Sequence, residues 1–288
     1  MLHTKILRNM KKGRYFEDFP WLYKIARTEE DKKLLSTIEE DHRKVFTQGI
    51  LPEGDEIFSI NLGNYKLWFK RKFAYSSVEI YTEIFKYKNH MALEKFDGKD
   101  AKIIIDIGAC EGYYTLKLKE NNPDVFIITI EPNPDVFKIL KKNIETNNLK
   151  NIKLLNIAID IKEGEREFEF VPNIPAISSF KIDKPWVNPK WIKRVKIKTY
   201  SLPQIFNMFE LKEVDILKID TEGSEYDILK SAENVLNRIN KIVVEYHSED
   251  LREEIISFLT PDFEIIFENK ETLDSYGELY FMKKHKSG

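Results

Sequence analysis

The sequence predicts an α/β protein built around a mostly parallel β-sheet with helices on both faces, preceded by an extension that mixes helices and strands. Two observations lead to this fold class. After Lys102, short apolar runs rich in isoleucine and valine alternate with helix-length stretches, a pattern typical of a parallel sheet covered by helices. The first run, Ile103 to Ile105, contains only β-branched residues, as a strand buried on both faces requires.

Composition narrows the class of protein further. The chain has 288 residues, of which 42% are apolar and 33% charged, enough for one core and an appendage. No stretch approaches the roughly twenty apolar residues of a membrane span, and the first residues lack a signal-peptide pattern, so we expect a cytoplasmic protein. The single cysteine, Cys110, excludes an internal disulfide and a cysteine-based metal cluster. A net charge of -2 argues against a general nucleic-acid binder.

Residues 1–89 differ in character from the rest and are predicted to form the extension. The apolar residues from Trp21 to Ile38 are interrupted by the charged run TEEDKK, which predicts two short helices or one broken helix. Ile57 to Phe69 alternates around a Gly-Asn pair and predicts a β-hairpin. A helix is expected over Val78 to Tyr87.

The α/β domain is predicted over 90–288 and alternates strands with helices. After the first strand we expect helix, strand, helix and strand over Glu111–Glu120, Phe126–Ile130, Asp135–Asn147 and Ile152–Ile157. An additional hairpin strand and two further parallel strands are expected over Glu167–Val171, Ile216–Asp220 and Ile242–Tyr246. The apolar runs FEIIF and ELYFM near the C-terminus supply the last two strands of a seven-stranded sheet.

The segment after the first strand has the layout of a cofactor site. Asp106 ends the strand, Gly108 allows a ligand to approach the backbone closely, and Gly112 permits tight packing of the next helix. Glu131 ends the second strand about twenty residues later, where a ribose diol would be held. The spacing differs from the G-x-G-x-x-G of dinucleotide sites, so an NAD enzyme is disfavoured. A glycine turn that merely connects strand and helix is the alternative.

A zwitterionic cofactor that carries a ribose suits this layout better than a dinucleotide. Asp106 would take an ammonium group, the loop amides would take a carboxylate, and Glu131 would take the ribose. S-adenosylmethionine has all three groups, and we expect it as the cofactor.

Five segments, in this order and at these distances, resemble the FkbM-type methyltransferases, a branch of the class I S-adenosylmethionine-dependent enzymes. They are DIGACEGYYTL, EPNPDVFKILKKNIETNN, AISSF, LKIDTEGSEYDIL and VVEYH, and the resemblance covers Val78 to Lys283. It implies a Rossmann-like class I methyltransferase fold with one antiparallel strand among the last two. The cofactor-binding residues that it implies, together with the layout above, are Asp106, Gly108, Ala109, Glu111, Gly112, Glu131, Pro132, Asn133, Ala158 and Asp160.

Two points of this resemblance stay open. Cys110-Glu111 departs from the residues that are common at this point in the family, and an ordinary turn carboxylate is the alternative for Asp160. In the family, an extension like residues 1–89 covers the open edge of the cofactor cleft or shapes the acceptor pocket, and the sequence does not decide between these.

Acidic residues and a histidine follow the fourth and fifth parallel strands, and Asp220, Glu222 and His247 are the predicted catalytic residues. In one hypothesis, Asp220 or His247 acts as a general base on an acceptor hydroxyl. In the other, all three hold a divalent cation that lowers the pKa of that hydroxyl. We favour the metal-free hypothesis. Glu225, on the following helix, is expected to be solvated or to cap the helix.

Two motifs that are missing from the sequence narrow the choice of methyl acceptor. The fourth strand ends in Asp-Thr-Glu-Gly, which is not the Asp/Asn-Pro-Pro-aromatic run that grips a planar amino group, and no Pro-Cys nucleophile is present for methylation of pyrimidine C5. An oxygen acceptor is left. The resemblance implies a hydroxyl on a sugar, a glycolipid precursor or another small metabolite. The alternatives are an RNA-directed methyltransferase and a sensor that binds S-adenosylmethionine without turnover.

The segment from Ala176 to Lys198 combines two serines with tryptophans and a run of cations. In the family the serine pair lies on the acceptor side, and we predict that Ser178, Ser179 and Trp186 contact the acceptor. Aromatic rings among cations suit sugars, bases or an anionic carrier such as a phosphorylated lipid or nucleotide, whereas a surface loop with solvated lysines is the alternative. A basic groove here would favour the RNA-directed hypothesis.

Overall fold

The computed structural model describes residues 15–161, 163–182, 187–270 and 276–284. The chain starts with two helices, α1 (Tyr15–Ile25) and α2 (Glu29–Gln48). The break between them is a capping box, in which the Thr28 hydroxyl accepts a hydrogen bond from the Asp31 amide and the Asp31 carboxylate accepts one from the Thr28 amide. Of the two predicted arrangements, the structure therefore contains two separate helices.

A β-hairpin follows, with β1 (Ile57–Leu62) and β2 (Tyr65–Lys70) paired antiparallel across the Gly-Asn turn, which confirms the predicted hairpin. Helix α3 (Ala74–Phe85) comes next and begins four residues before the predicted helix, because a 3-10 turn at Arg71–Phe73 leads directly into it. Further 3-10 turns lie at Glu94–Phe96, Pro189–Trp191 and Leu236–Arg238.

The central sheet has seven strands, numbered in chain order: β3 (Ile103–Ile107), β4 (Phe126–Ile130), β5 (Ile152–Leu155), β10 (Val214–Ile219), β11 (Ile239–Tyr246), β12 (Phe263–Lys270) and β13 (Gly277–Lys283). Their spatial order is β12-β13-β11-β10-β3-β4-β5. Strand β13 is antiparallel to both of its neighbours, and the other adjacent strands are parallel. The predicted seven-stranded, mostly parallel sheet is confirmed.

The helices of this domain are α4 (Tyr113–Asn121), α5 (Pro134–Thr146), α6 (Leu202–Met208), α7 (Glu225–Ser231) and α8 (Glu249–Leu259). Helix α5 illustrates how the sequence sets their bounds. The Asn133 side chain accepts a hydrogen bond from the Asp135 amide and caps the helix, while Pro134 occupies the first turn. Its predicted apolar face is buried, through Val136, Ile139, Leu140 and Ile144.

A second sheet lies beside the end of β5 and contains β6 (Ala158–Ile159), β7 (Gly164–Val171), β8 (Ile174–Ser179) and β9 (Lys193–Tyr200), in the order β6-β9-β7-β8. The sequence predicted only part of it, as a hairpin strand at 167–171. The predicted strand over Ile152–Ile157 ends earlier, at Leu155, because Ala158 and Ile159 pair with β9 instead of continuing along β4.

The two faces of the central sheet carry separate apolar cores. Ile104 and Ile216 belong to a core that also contains Leu35, Leu67 and Tyr81 of the extension. The intervening residues of the same strands, which point to the opposite face, pack with the helices of the α/β domain. The extension thus shares a core with the sheet, and a division of the chain at residue 89 stays a prediction. Within the described ranges, none of the helices combines the length and apolarity needed to cross a bilayer.

Candidate functional site

A cavity of about 330 Å³ opens at the carboxyl ends of β3, β4, β10 and β11. This is the edge at which open α/β sheets bind their ligands. Its apolar walls come from strand ends and from the second sheet, through Ile107, Ile130, Pro132, Ala158, Ile159, Phe168 and Phe180. Helix α3 and the residues after it supply the remaining wall, through Ile80, Glu83, Ile84, Asn89 and His90. The extension therefore lines the cavity.

The glycine turn after β3 is tightly packed. Gly108 has a φ of +76°, and a Cβ on it would lie 1.6 Å from the carbonyl oxygen of Asp220. Gly112 has a φ of +87°, and a Cβ on it would lie 2.4 Å from Leu140 on α5. Both positions therefore require glycine. Gly108 and Cys110 line the cavity, whereas Ala109 and Gly112 lie behind its wall.

Glu131 follows β4 and lines the cavity with a carboxylate that is only 6% exposed. Its two oxygens accept hydrogen bonds from the backbone amides of Cys110, at 2.9 Å, and Asn133, at 2.7 Å. Burial raises the pKa of Glu131 to about 8, although these two amides oppose the shift. Pro132 also lines the cavity, while Asn133 donates a side-chain hydrogen bond to Ser178 from behind it.

Asp106 lies beneath the glycine turn and not on the cavity wall. It is fully buried, accepts a hydrogen bond from the Thr115 hydroxyl at 2.9 Å, and has Lys218 Nζ 3.5 Å from Oδ1. Lys218 supplies a cation beside this carboxylate, and the predicted contact between Asp106 and a ligand ammonium stays a prediction.

Lys218 was missed in the sequence, although a lysine inside the apolar run of β10 was a usable signal. Its ammonium donates a hydrogen bond to the Gly108 carbonyl at 2.7 Å and lies 3.4 Å from Asp220 Oδ2. Burial lowers the pKa of Lys218, but the Asp220 and Asp106 carboxylates outweigh burial and the pKa is raised. Lys218 thus links the glycine turn to the end of β10.

Two further residues of the predicted cofactor set point away from the cavity. Glu111 is fully buried, accepts hydrogen bonds from the Ser77 hydroxyl and the Cys110 thiol, and has a pKa that burial raises to about 7. Asp160 is 3% exposed and pairs with Arg166 and the Ile161 amide. Neither residue lines the cavity, and a contact of either with a cofactor stays a prediction.

The residues predicted to be catalytic are divided between the wall and the layer behind it. Asp220 and Glu222 line the cavity, whereas His247 lies behind them. Its Nδ1 is 3.2 Å from Glu225 Oε1 and its Nε2 is 3.6 Å from Glu222 Oε1. Of the two roles expected for Glu225, the solvated one is excluded because the side chain is buried; it accepts hydrogen bonds from the amides of Thr221 and Gly223, just before α7.

His90 and Glu245 lie on the wall beside Asp220. One oxygen or nitrogen atom from each of these three side chains lies within 4.8 Å of the other two, whereas no such convergence joins Asp220, Glu222 and His247 among the described residues. His90 was not predicted, and no local signal could have found it, because only the tertiary fold brings the turn after α3 to the ends of β10 and β11.

The protonation states of this region follow from burial and neighbouring charge. Burial alone would raise the pKa of Asp220, but Lys218, His90 and His247 together outweigh burial and the pKa is lowered, so Asp220 is ionised at neutral pH. Burial and the Asp220 carboxylate hold the pKa of Glu245 well above its usual range. Burial would lower the pKa of His247, yet Glu222 and Glu225 raise it well above its usual value. A histidine that already carries a proton is a poor general base.

The predicted acceptor residues lie in different places. Ser178 lines the cavity, while the Ser179 hydroxyl donates to the Lys181 carbonyl outside it. Trp186 lies outside the described residues. The cations of β9 face acidic residues on β7, in the register pairs Glu165 with Lys198, Glu167 with Lys196 and Glu169 with Arg194. Over residues 187–200, this pairing argues against a basic groove.

Comparisons with known proteins agree with this architecture. The family model described as the methyltransferase FkbM domain matches residues 106–271, more than half of the chain. Three curated relatives are similar to it. The hexuronic acid methyltransferase AglP of Haloferax volcanii is 26% identical over 53% of this chain and 59% of its own length. The 2-O-methyltransferase NoeI of Sinorhizobium fredii is 21% identical over 62% of this chain and 79% of its own length. A tRNA (guanine-N(7)-)-methyltransferase of Oceanobacillus iheyensis is 28% identical over 51% of this chain and 67% of its own length.

Proposed function

Because the chain belongs to the FkbM methyltransferase family, we propose that it transfers a methyl group from S-adenosylmethionine to a hydroxyl of a sugar, a glycolipid precursor or another small metabolite. The observation that carries the proposal is the position of Asp220. Its ionised carboxylate lines the same cavity as the glycine turn and Glu131, and its backbone carbonyl packs directly against Gly108. A proton acceptor therefore lies beside the proposed cofactor site.

The residues of the cavity fit S-adenosylmethionine. When bound, this cofactor supplies a methyl group already activated on a sulfonium. Gly108 and Cys110 line the cavity, Glu131 offers carboxylate oxygens to ribose hydroxyls, and Ile130, Ala158 and Ile159 offer an apolar surface to the adenine. A volume of about 330 Å³ lies within the range of small-molecule sites.

Proton removal is assigned to Asp220. Methyl transfer to a hydroxyl forms an oxygen-carbon bond, breaks a sulfur-carbon bond and releases the hydroxyl proton, so an ionised carboxylate at the acceptor oxygen suffices as a base. Lys218, 3.4 Å away, is the largest of the contributions that keep Asp220 ionised. His247 holds Glu222 in place from behind the wall and does not take the proton itself.

The charge of the cavity favours an uncharged acceptor. The described lining residues include five carboxyl groups, those of Glu83, Glu131, Asp220, Glu222 and Glu245. No lysine or arginine is among the described lining residues. Phosphate and carboxylate groups are recognised by arginine and lysine, which this wall lacks. An uncharged sugar, or an uncharged sugar unit of a glycolipid precursor, therefore suits the cavity better than a nucleotide sugar.

RNA is the second acceptor class to test, because the tRNA methyltransferase named above is among the relatives. The acidic cavity wall and the alternating charges of β7 and β9 argue against it. A sensor without turnover is the non-enzymatic alternative, and it has no need for Asp220 at the cavity wall.

The test is methyl transfer from radiolabelled S-adenosylmethionine to three acceptor classes: uncharged glycosides, uronic acids and tRNA. We expect transfer to an uncharged glycoside, with an O-methyl product by mass spectrometry. Asp220→Asn should lower that rate by on the order of 10²-fold or more while S-adenosylmethionine still binds. Asp227→Asn, an exposed aspartate on α7, is the matched control and should keep full activity. Undiminished activity of Asp220→Asn, or transfer only to tRNA, contradicts the proposal.

A further inference from the structure

We propose that His90, Asp220 and Glu245 bind a divalent cation at the cavity wall. The three side chains come from separate parts of the chain, and one ligand atom of each lies within 4.8 Å of the other two. All three line the cavity, so an ion between them would have open positions facing a ligand. This set shares only Asp220 with the cation set that the sequence predicted.

The imidazole of His90 has a carboxylate on each side. Its Nδ1 lies 2.7 Å from Glu278 Oε1, and its Nε2 lies on the side of Asp220. Nε2 is 3.6 Å from Asp220 Oδ2, which is beyond hydrogen-bond distance, although the side chain is only 9% exposed. A carboxylate behind a histidine fixes its tautomer and orientation and increases its affinity for a metal.

The support behind His90 is itself well ordered. Glu278 is 4% exposed and accepts hydrogen bonds from the His90 amide, at 2.9 Å, and from the Tyr280 hydroxyl, at 2.7 Å. The ring of Tyr114 packs edge-on against the imidazole, with centroids 5.6 Å apart. His90 also has a φ of 63°, a left-handed conformation that is uncommon outside glycine. The fold thus holds this histidine at a backbone cost.

Three carboxyl groups surround the imidazole. Glu245 on β11 pairs directly with Glu278 on β13, so their side chains share one face of the sheet, and Asp220 lies at the end of the neighbouring β10. Like charges opposite one another on paired strands are destabilising, so the three groups repel one another when all are ionised. Lys218 Nζ lies 3.4 Å from Asp220 Oδ2, the same oxygen that is 3.6 Å from His90 Nε2, and also bonds to the Gly108 carbonyl. A cation between His90, Asp220 and Glu245 would relieve the repulsion.

One imidazole nitrogen and two carboxylate oxygens suit a first-row ion that accepts both ligand types, such as Mn²⁺ or Zn²⁺. Ligands bonded to one such ion at about 2.1 Å lie roughly 3 to 3.5 Å apart, so small side-chain movements would close the set. Its role in catalysis rests on the function proposed above: the ion would bind the acceptor hydroxyl and lower its pKa. One Asp220 oxygen would hold the ion while the other takes the proton.

The test uses the full chain, stripped with EDTA and titrated with Mn²⁺ while the signal of free Mn²⁺ is followed by electron paramagnetic resonance. We expect one bound ion per chain. His90→Asn should abolish binding while keeping the backbone, because asparagine tolerates the left-handed conformation. Glu278→Gln should weaken binding by about 10- to 100-fold. His247→Asn is the matched control, since this histidine also lies beside two carboxylates, and it should bind Mn²⁺ as the unmodified protein does.

Absence of Mn²⁺ binding by the unmodified protein overturns the proposal. So does an affinity that His90→Asn leaves unchanged, or one that only His247→Asn removes. If His90→Asn does not fold, an unchanged affinity in Glu278→Gln overturns it equally. Methyl transfer is measured on the same samples. Mn²⁺ binding without transfer to any acceptor counts against the proposed function alone, whereas full transfer in EDTA with no Mn²⁺ binding counts against the cation site alone.

Discussion

Replacing Glu131 by alanine tests the proposed cofactor site most directly. In the structure, its carboxylate lines the cavity and holds the Cys110 and Asn133 amides at 2.9 and 2.7 Å. Hydrogen bonds to a charged group contribute about 1.5–3 kcal/mol, so a loss of about 1–3 kcal/mol in binding of S-adenosylmethionine is expected. This corresponds to about a 5- to 150-fold increase in Kd.

The assay is calorimetric titration with S-adenosylmethionine above about pH 8, where Glu131 is ionised. Loss of the two amide contacts also affects stability, so a control with the same defect elsewhere is needed. Asp31→Ala supplies it, because Asp31 is 3% exposed and holds the Asn61 and Thr28 amides at 2.8 and 3.0 Å within the extension. We expect similar destabilisation of both variants and weaker cofactor binding only in Glu131→Ala. An equal effect of both variants on Kd would refute the assignment of the ribose site.

Four further outcomes are expected. Ribose hydroxyls donate to the ionised form of Glu131, so the affinity for S-adenosylmethionine in calorimetry should rise by up to about tenfold per pH unit and level off above about pH 8. The stability of the fold should change in the opposite direction with pH. Between pH 4.5 and about 8, Glu131 keeps its proton in the folded protein but has released it in the unfolded chain, so its contribution should lower the melting temperature as the pH rises. Gly108→Ala should abolish binding, since its Cβ would lie 1.6 Å from the Asp220 carbonyl, whereas Gly223→Ala, with φ +113° and open space, controls for backbone strain. Lys218→Met leaves two carboxylates without their buried cation and should cost about 3–5 kcal/mol in urea unfolding; a loss under about 1 kcal/mol would contradict the buried pairing.

The glycine turn, Glu131 and Asp220 could be found from the sequence because each lies at a strand end, where local pattern and position in the sheet are linked. His90 and Glu278 could not, because they reach Asp220 only through tertiary contacts between distant segments. Asp106 was expected to contact a ligand, which stays a prediction, and the sequence did not show that Lys218 lies between Asp106 and Asp220. The second sheet was largely missed since its strands are short or half exposed.

The wall formed by α3 has a consequence for how this protein acquires a substrate. Ile80, Glu83 and Ile84 lie outside the segment that the family model matches, and Ser77 of the same helix bonds to Glu111 in the glycine turn. The proposed cofactor site and part of the cavity wall therefore come from separate stretches of the chain, which share an apolar core and several hydrogen bonds, among them those of Tyr65 to Leu116 and of Ser77 to Glu111. Exchange of the first 89 residues between relatives would test whether the acceptor can be changed without rebuilding the sheet.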